Sequence, residues 1–289
     1  MTEPLSPFAP ESADQTDQAL VSRALAGDRQ SLEALLGRHQ PWIFNLAFRM
    51  VMVRQDAEDV TQEVLVKVLT KLSGYDAQKS SFRTWLYRIV TNHIINMKTR
   101  GYEKAIRGFD SYYAFVDTVP DQDPEASPET ERIVADLTIA CVMGTLLCLD
   151  REQRLAFILV VAFNVSSEIG AELLDVSPDA FRKTLSRARA RLQQYMQGHC
   201  GLVNPDAPCH CRRKVKSFVE SGAYSATKLH FLAEQRPKMR EIVGETISHF
   251  DQAYGALFRS HPFYAAPDST AVLRALLDQQ EFKSAFRLE

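Results

Sequence analysis

The chain has 289 residues, room for two or three compact domains, and its 45% hydrophobic and 24% charged residues are ordinary for a soluble globular protein. No apolar run reaches the roughly 18 residues of a membrane span, and the first residues, MTEPLSPFAPESADQTD, lack the basic stretch and apolar core of a secretory signal. Five cysteines without an export signal argue against a disulfide framework and for the reducing cytoplasm.

The net charge of -2 is unevenly spread. Residues 14–100 carry 12 bases and 9 acids, a local charge of +3. Residues 101–152 carry 11 acids and 4 bases, a local charge of -7, and residues 153–199 are again basic at +2. An acidic middle between two basic blocks is compatible with nucleic-acid binding without requiring it.

In chain order, residues 1–16 are expected to be a disordered polar leader, since Pro, Ser and acids offer little to bury. Residues 17–100 read as a helical domain, with Leu20, Ala24, Leu25, Leu32, Leu35 and Leu36 at three- and four-residue spacing. Gly27 with Asp28, and Gly37, are expected to end its first two short helices.

The segment DAEDVTQEVLVKVLTKL, residues 56–72, places Val60, Val64, Val68 and Leu72 on one stripe. Asp56, Glu58, Asp59, Gln62 and Glu63 crowd its first turns. Acids there complement the helix dipole, and they also form an acidic docking face for a basic protein partner. In SFRTWLYRIVTNHIINMKTR, residues 81–100, Phe82, Trp85, Leu86, Ile89 and His93 can turn inward. Arg88, Asn92 and Asn96 then align on another face. Asn pairs with base edges, and a polar face bordered by aromatics suits unstacked single-stranded bases. A merely solvated face is the other reading of that helix.

Residues 101–130 form an acidic linker. Its part DTVPDQDPEASPETE cannot offset its ordering entropy by burial, so it stays loose or orders on a partner. Residues 131–197 return to helical periodicity, with Leu146, Leu155, Ile158, Leu159, Ile169, Leu173, Phe181, Leu185 and Leu192 as predicted core and Cys141 and Cys148 in an apolar helical stretch. The fold class is all-α, two small helical domains joined by the linker and followed by a helical extension.

The stretch SSEIGAELLDVSPDAFRKTLSRARARLQQ, residues 166–194, has the parts of a helix-turn-helix. A short helix carries Gly170 and Ala171 for close approach, and Val176 in the turn is placed to plug the angle between helices. Ser177 is the N-cap, Pro178 the first helical residue, and Asp179 suits the positive dipole end. Phe181, Leu185, Ala188 and Leu192 share one face. Arg182, Lys183, Ser186 and Arg187 share the other, the arrangement of a helix lying in the major groove, and Arg189 and Arg191 extend it towards phosphates.

Four motifs now stand in one order: DQALVSRALAGDRQSLEALL, DAEDVTQEVLVKVL, SFRTWLYRIVTNHIIN, and LDREQRLAFILVVAFNVSSEIGAELLDVSPDAFRKTLSRARARL. Together they cover residues 17–197, and the chain resembles the extracytoplasmic-function (ECF) sigma factors of the sigma-70 family, specificity subunits of bacterial RNA polymerase. The resemblance implies that residues 17–100 form a region 2-like domain and residues 131–197 a region 4-like one. It implies that Asp56, Asp59, Gln62 and Glu63 dock on the polymerase β′ coiled coil, with the β subunit as a further contact. Arg88, Asn92, Asn96, Lys98 and Arg100 match the minus-ten surface, where flipped-out bases are captured. Arg182, Lys183, Ser186, Arg187 and Arg189 match the minus-thirty-five surface. The linker matches the segment that threads the polymerase channel.

Promoter DNA and core polymerase are the implied partners, an anti-sigma factor is a further candidate, and no cofactor is implied. Catalysis would belong to the polymerase. Two positions depart from the family pattern. Ser166-Ser167-Glu168-Ile169 stands where Tyr-x-Glu-Ile is usual, and Ala180-Phe181 replaces a Thr-Val pair. The competing reading, a helix-turn-helix regulator acting without polymerase, has no use for residues 56–100.

Typical members of that family stop near Gln197, whereas this chain continues through residues 198–289. His199, Cys200, Cys209, His210 and Cys211 are potential soft ligands, and Cys200, Cys209, His210 and Cys211 could complete a four-coordinate zinc site. A redox-responsive thiol cluster, its pKa values lowered by Arg212, Arg213 and Lys214, and a plain structural turn stay open beside it. Helical pattern resumes over 217–233, 238–258 and 269–282 with no nucleophile, phosphate loop or paired carboxylates. The extension is expected to regulate the preceding domains in cis.

Overall fold

A computed structural model of the chain describes residues 12–99, 101–222, 224, 274, 275 and 277–279. The leader before Ser12, Arg100 and most of the expected C-terminal helices lie outside the described residues. Among the described residues ten α-helices run in order: α1 (Ser12–Leu25), α2 (Arg29–Val51), α3 (Arg54–Lys71), α4 (Phe82–Asn96), α5 (Phe109–Thr118), α6 (Pro128–Thr145), α7 (Arg151–Phe157), α8 (Ser167–Leu174), α9 (Pro178–His199) and α10 (Cys211–Glu220). The only extended pairing among the described residues is one isolated bridge between Cys200 and Cys209, so the all-α expectation holds.

The chain forms two compact units. The first takes Met1–Gly101, Phe163–Arg182 and Phe263–Glu289; the second takes Tyr102–Ala162 and Lys183–Pro262.

In the first unit, α2 begins at a strong stop signal. Asp28 accepts hydrogen bonds from the Gln30 and Ser31 amides, leaving an N-cap before the first turn. Gly37 does not end this helix, contrary to expectation, and neither does Pro41, which sits inside it. Leu32, Leu35, Leu36, Ile43, Phe44, Leu46 and Ala47 are all essentially inaccessible. Burying such a stripe outweighs the ~1 kcal/mol of a helical glycine and the ~3 kcal/mol of a helical proline. Helix α3 buries Val60, Val64 and Val68 as its periodicity requires, and Leu72 follows just past its end. Ser81 caps α4, accepting from the Thr84 amide at 3.2 Å.

Helix α1 starts at Ser12, inside the stretch expected to be disordered. Its reason is Asp17, fully buried and reached by three partners. Arg38 Nε lies 2.9 Å from Oδ1, while Arg83 Nε and His39 Nε2 lie 2.7 and 3.2 Å from Oδ2. One carboxylate thereby ties α1, α2 and α4 together.

The second unit corrects the linker. The segment 101–116 is aromatic and carries as many bases as acids, and it folds into a short 3-10 turn, Gly101–Lys104, and α5, with Tyr112 and Val116 buried. Glu103 anchors that turn. Its carboxylate receives Arg151 at 2.8 Å and the buried Arg154 at 2.7 Å, and Arg154 also donates to the Leu146, Leu147 and Leu149 carbonyls. Burial works to raise the Glu103 pKa, but the two guanidiniums outweigh it and hold the carboxyl below its usual range.

Residues 119–127 are irregular, and α10 grips the first four of them. The Gln122 amide donates to the Arg213 carbonyl at 2.8 Å, Ser217 Oγ donates to the Pro120 carbonyl at 2.8 Å, and buried Lys214 reaches the Val119 carbonyl. Lys214 Nζ also pairs with Asp121 at 3.1 Å. Beneath these contacts Val215, Phe218, Val219 and Tyr224 pack on Ile133, Val134, Leu137 and Ala140 of α6. The segment that burial could not order in isolation is ordered by a later part of its own chain.

Burial pushes the Asp17 carboxyl up, but its hydrogen bonds and charge contacts with His39 and Arg83 win, lowering it from 3.8 to about 2. The native carboxylate therefore stabilises the fold fully above the unfolded value, and this contribution fades as pH falls through the folded one. Asp17→Asn is expected to cost about 3 kcal/mol of unfolding free energy, because a neutral amide replaces the buried carboxylate that Arg38, His39 and Arg83 converge on. It should also remove a component of the acid-unfolding limb between pH 3.8 and about 2. Denaturant titrations followed by circular dichroism across that window check both effects.

Candidate nucleic-acid interface

Helix α4 has two unlike faces because its sequence sets apolar and polar residues on separate 3.6-residue tracks. Phe82, Leu86, Val90 and Ile94 are buried, while Asn92 and Asn96 are exposed. Trp85 and Ile89, expected in the core, are half-buried and instead wall a cavity of about 410 Å3. Arg88, Asn92, His93 and Asn96 complete the α4 side, and Lys67 and Lys71 of α3 face them.

The cavity floor is a polar relay. Lys67 Nζ lies 2.7 Å from His93 Nδ1, and His93 Nε2 lies 3.1 Å from Glu63 Oε2. A lysine donating to Nδ1 leaves the proton on Nε2, towards Glu63. On the rim, Asn96 Nδ2 donates to the Asn92 carbonyl at 2.8 Å, which fixes the Asn96 rotamer. Arg88 reaches Asp175 at 2.8 Å, an exposed pair worth at most about 1 kcal/mol and therefore easily exchanged for a phosphate. Lys98 is exposed just beyond the helix. An indole, two amides and two ammonium groups around an open hollow of about 410 Å3 suit an unstacked nucleotide.

The acidic residues at the start of α3 divide. Asp59, Gln62 and Glu63 are exposed, whereas Asp56 is half-buried against Gly101, whose φ of +44° lets its backbone approach that carboxylate. A Cβ at Gly101 would stand 2.6 Å from Asp56 Oδ2.

The helix-turn-helix is built from α8, a tight turn and α9. Ser166 caps α8, Asp175 takes the left-handed conformation at φ 56°, and Ser177 Oγ accepts the Ala180 amide at 3.2 Å. Val176 is 43% exposed and does not plug the angle between the helices. Phe181 does, fully buried, its ring set so close over Gly170 that a Cβ there would stand 2.3 Å from Cζ. Along α9, Leu185, Ala188 and Leu192 are buried while Arg182, Lys183, Ser186 and Arg187 are exposed. Arg182 pairs with Asp179 at 2.6 Å, and Arg189 is half-buried. Arg191 is engaged elsewhere, 2.7 Å from Gln153 and over the Phe109 ring.

Residues 35–102 match the sigma-70 region 2 family, and residues 139–192 match the sigma-70 region 4 family. The ECF RNA polymerase sigma factor SigE of Mycolicibacterium smegmatis is 33% identical over 195 residues, covering 65% of this chain and 71% of that one. The ECF RNA polymerase sigma-E factor of Haemophilus influenzae is 32% identical, covering 63% and 96%, and that of Escherichia coli is 28% identical, covering 64% and 97%. The chain belongs to the ECF sigma factors of the sigma-70 family. It is an RNA polymerase sigma factor that acts in transcription initiation, and the region 2 match is the part that a polymerase-independent regulator would lack.

The region 4 match of this sigma factor ends at residue 192, before the extension. There Cys200, Cys209 and Cys211 line a small cavity of about 20 Å3 together with Cys141 of α6, which the sequence alone places in an apolar helical stretch with no link to the other three. His210 is turned away, its ring against the Gly201 backbone. Among the described residues no three His, Cys, Asp or Glu side chains already stand as a metal shell. The basic neighbours do not activate these thiols. Burial pushes Cys200 to about 12, and it pushes Cys209 to about 11 against the pull of Lys214. The Cys141 and Cys211 thiols are raised as well, again by burial.

Gly170→Ala tests the wedge of Phe181. The added methyl has no space, and overpacking of this kind costs ~1–3 kcal/mol. Thermal unfolding of the variant is expected to show a lowered transition, whereas Gly37→Ala, whose Cβ meets nothing within 4 Å, should leave it unchanged or raised.

Proposed function

We propose that this sigma factor melts its promoter by capturing unpaired bases of the minus-ten element in the cavity between α3 and α4. The single observation that carries this is the composition of that hollow: Trp85 for stacking, Asn92 and Asn96 for base edges, and Lys67 and Lys71 for the backbone. Flipping a base out of the duplex costs a few kcal/mol, which stacking and two amide contacts are of the size to offset. Arg88 and Lys98 supply phosphate contacts beside this surface, and the resemblance assigns the same role to Arg100, which lies outside the described residues.

The exposed face of α9, Arg182, Lys183, Ser186 and Arg187 with Arg189 at its edge, reads the minus-thirty-five element as duplex in the major groove. Asp56, Asp59, Gln62 and Glu63 present the acidic face that docks on the β′ coiled coil, with β completing the core-polymerase contact. Nucleotide addition belongs to the polymerase, and the chain works in the cytoplasm where polymerase and chromosome meet. The extension acts in cis, a reading supported by the hold of α10 on residues 119–122.

The two DNA surfaces separate experimentally. With core polymerase bound, Asn92→Ala and Asn96→Ala are each expected to weaken binding of a single strand carrying the minus-ten sequence by roughly 10-fold, at 1–3 kcal/mol per base contact. Their binding to a minus-thirty-five duplex should be unchanged. Arg187→Ala should do the reverse. Equal losses on both probes for either class of variant would sink the assignment.

A further inference from the structure

Four of the five cysteines are brought to one place by three separate parts of the second unit. Cys141 comes from α6, Cys200 follows α9, and Cys209 and Cys211 lead into α10; Cys148 is buried elsewhere. The backbone arranges this deliberately. The Gly201 amide donates to the Cys209 carbonyl at 2.8 Å and the Cys209 amide to the His199 carbonyl at 3.1 Å, so the loop 200–209 is closed on itself. Cys211 is hydrogen-bonded to Thr138, one turn before Cys141 on α6, and Tyr112 donates to the Cys141 carbonyl at 2.9 Å. The remaining walls are mostly apolar or aromatic, chiefly Val116, Val142, Tyr195 and Met196; His199 also lines the hollow, its Nδ1 held on the Tyr195 carbonyl at 3.0 Å.

We propose that Cys141, Cys200, Cys209 and Cys211 form a site for one thiophilic divalent cation of the zinc class, and that its occupancy fixes the root of α10 and thereby the grip of α10 on residues 119–122. A set of four sulfurs is a tetrahedral soft-metal donor set, with Zn–S distances of about 2.3 Å. The cavity of about 20 Å3 has room for one such ion, and a small closure of the loop 200–209 towards α6 brings the sulfurs to it. Each bound thiolate releases its proton to solvent, and the nearby Lys214, Arg212 and Arg213 balance the excess negative charge of the filled site. The alternative use of the cluster, as a peroxide-type redox sensor, needs exposed low-pKa thiolates. These thiols are half-buried around one small enclosed hollow, a converging arrangement that suits a shared ion better than a solvent-facing sensor. Because Cys211 is the first residue of α10 and Lys214 lies one turn on, a metal bond at Cys211 restrains the side chain that holds Val119 and Asp121.

The test uses the full chain, purified reduced, with Zn2+ alone, and Cd2+ as its spectroscopic stand-in. One ion per chain is expected, with a sulfur-to-Cd2+ charge-transfer band. Alkylation mapped by mass spectrometry should show Cys141, Cys200, Cys209 and Cys211 all protected when metal is present, a readout that needs no variant. Cys141→Ser and Cys209→Ser should each weaken binding by more than the ~100-fold typical of residues that only support a ligand. Cys148→Ser should bind as the parent does. Hydrogen exchange at the Gln122 amide should slow with metal. Unchanged affinity in Cys141→Ser, or protection confined to Cys209 and Cys211, would overturn the four-thiol site. Unchanged exchange at Gln122 would overturn its coupling to the linker. None of these measurements involves polymerase or promoter, so their failure leaves the promoter reading standing.

Discussion

The first unit depends on a single buried carboxylate. Asp17 gives α1 a reason to exist and ties it to Arg38 and His39 of α2 and Arg83 of α4. An unpaired charge in that position would cost several kcal/mol, so the three partners must be in place together, and α4 is held in one rotation about its axis. That rotation decides which side chains face the hollow. It sends Phe82, Leu86, Val90 and Ile94 inward and leaves Asn92 and Asn96 at the mouth of a polar hollow. A helix free to roll by one residue, 100°, would bury an amide and close the hollow.

What was legible in the sequence is what neighbours within a few residues determine. The stripe of α3, the cap at Ser177, the buried and exposed faces of α9 and the all-helical class follow from spacing and cap chemistry, and the structure keeps them. The misses have a common cause in contacts between distant residues. Gly37 looked like a stop because its local cost is real, but the burial of α2 overrides it. Val176 looked like the interhelical plug because it sits in the turn, whereas Phe181 fills that space only because Gly170 lacks a side chain. Lys67 and Lys71 were not singled out, since nothing local says that α3 lies beside α4. Cys141 is 59 residues from Cys200, and periodicity is silent about such a meeting.

The linker shows the same limit from the other side. Its acids and prolines predict a segment that cannot order itself, and that reading holds for residues 119–127 alone. Upstream, Tyr112 and Val116 supply the apolar surface that makes α5 worth forming. Downstream, the complement lies in α10, whose Arg212, Arg213, Lys214 and Lys216 oppose the acidic stretch. Both charge runs are visible in the sequence, but their pairing spans more than 80 residues and becomes evident only when Arg212 meets Glu131 and Lys214 meets Asp121.

The strength of that grip is near a balance point. Five hydrogen bonds join residues 119–122 to α10. At about 1 kcal/mol net each they contribute roughly 5 kcal/mol. Fixing four linker residues costs about 1–2 kcal/mol apiece, or roughly 4–8 kcal/mol. The exposed ion pairs add little, and salt screens them. What tips the balance is therefore the apolar seam of Val215, Phe218 and Tyr224 on α6, together with whatever fixes the start of α10. A contact so poised holds the linker in the isolated chain and yields to a competitor offering a few kcal/mol, which is the energetic range in which a cis-acting element can be switched instead of locked.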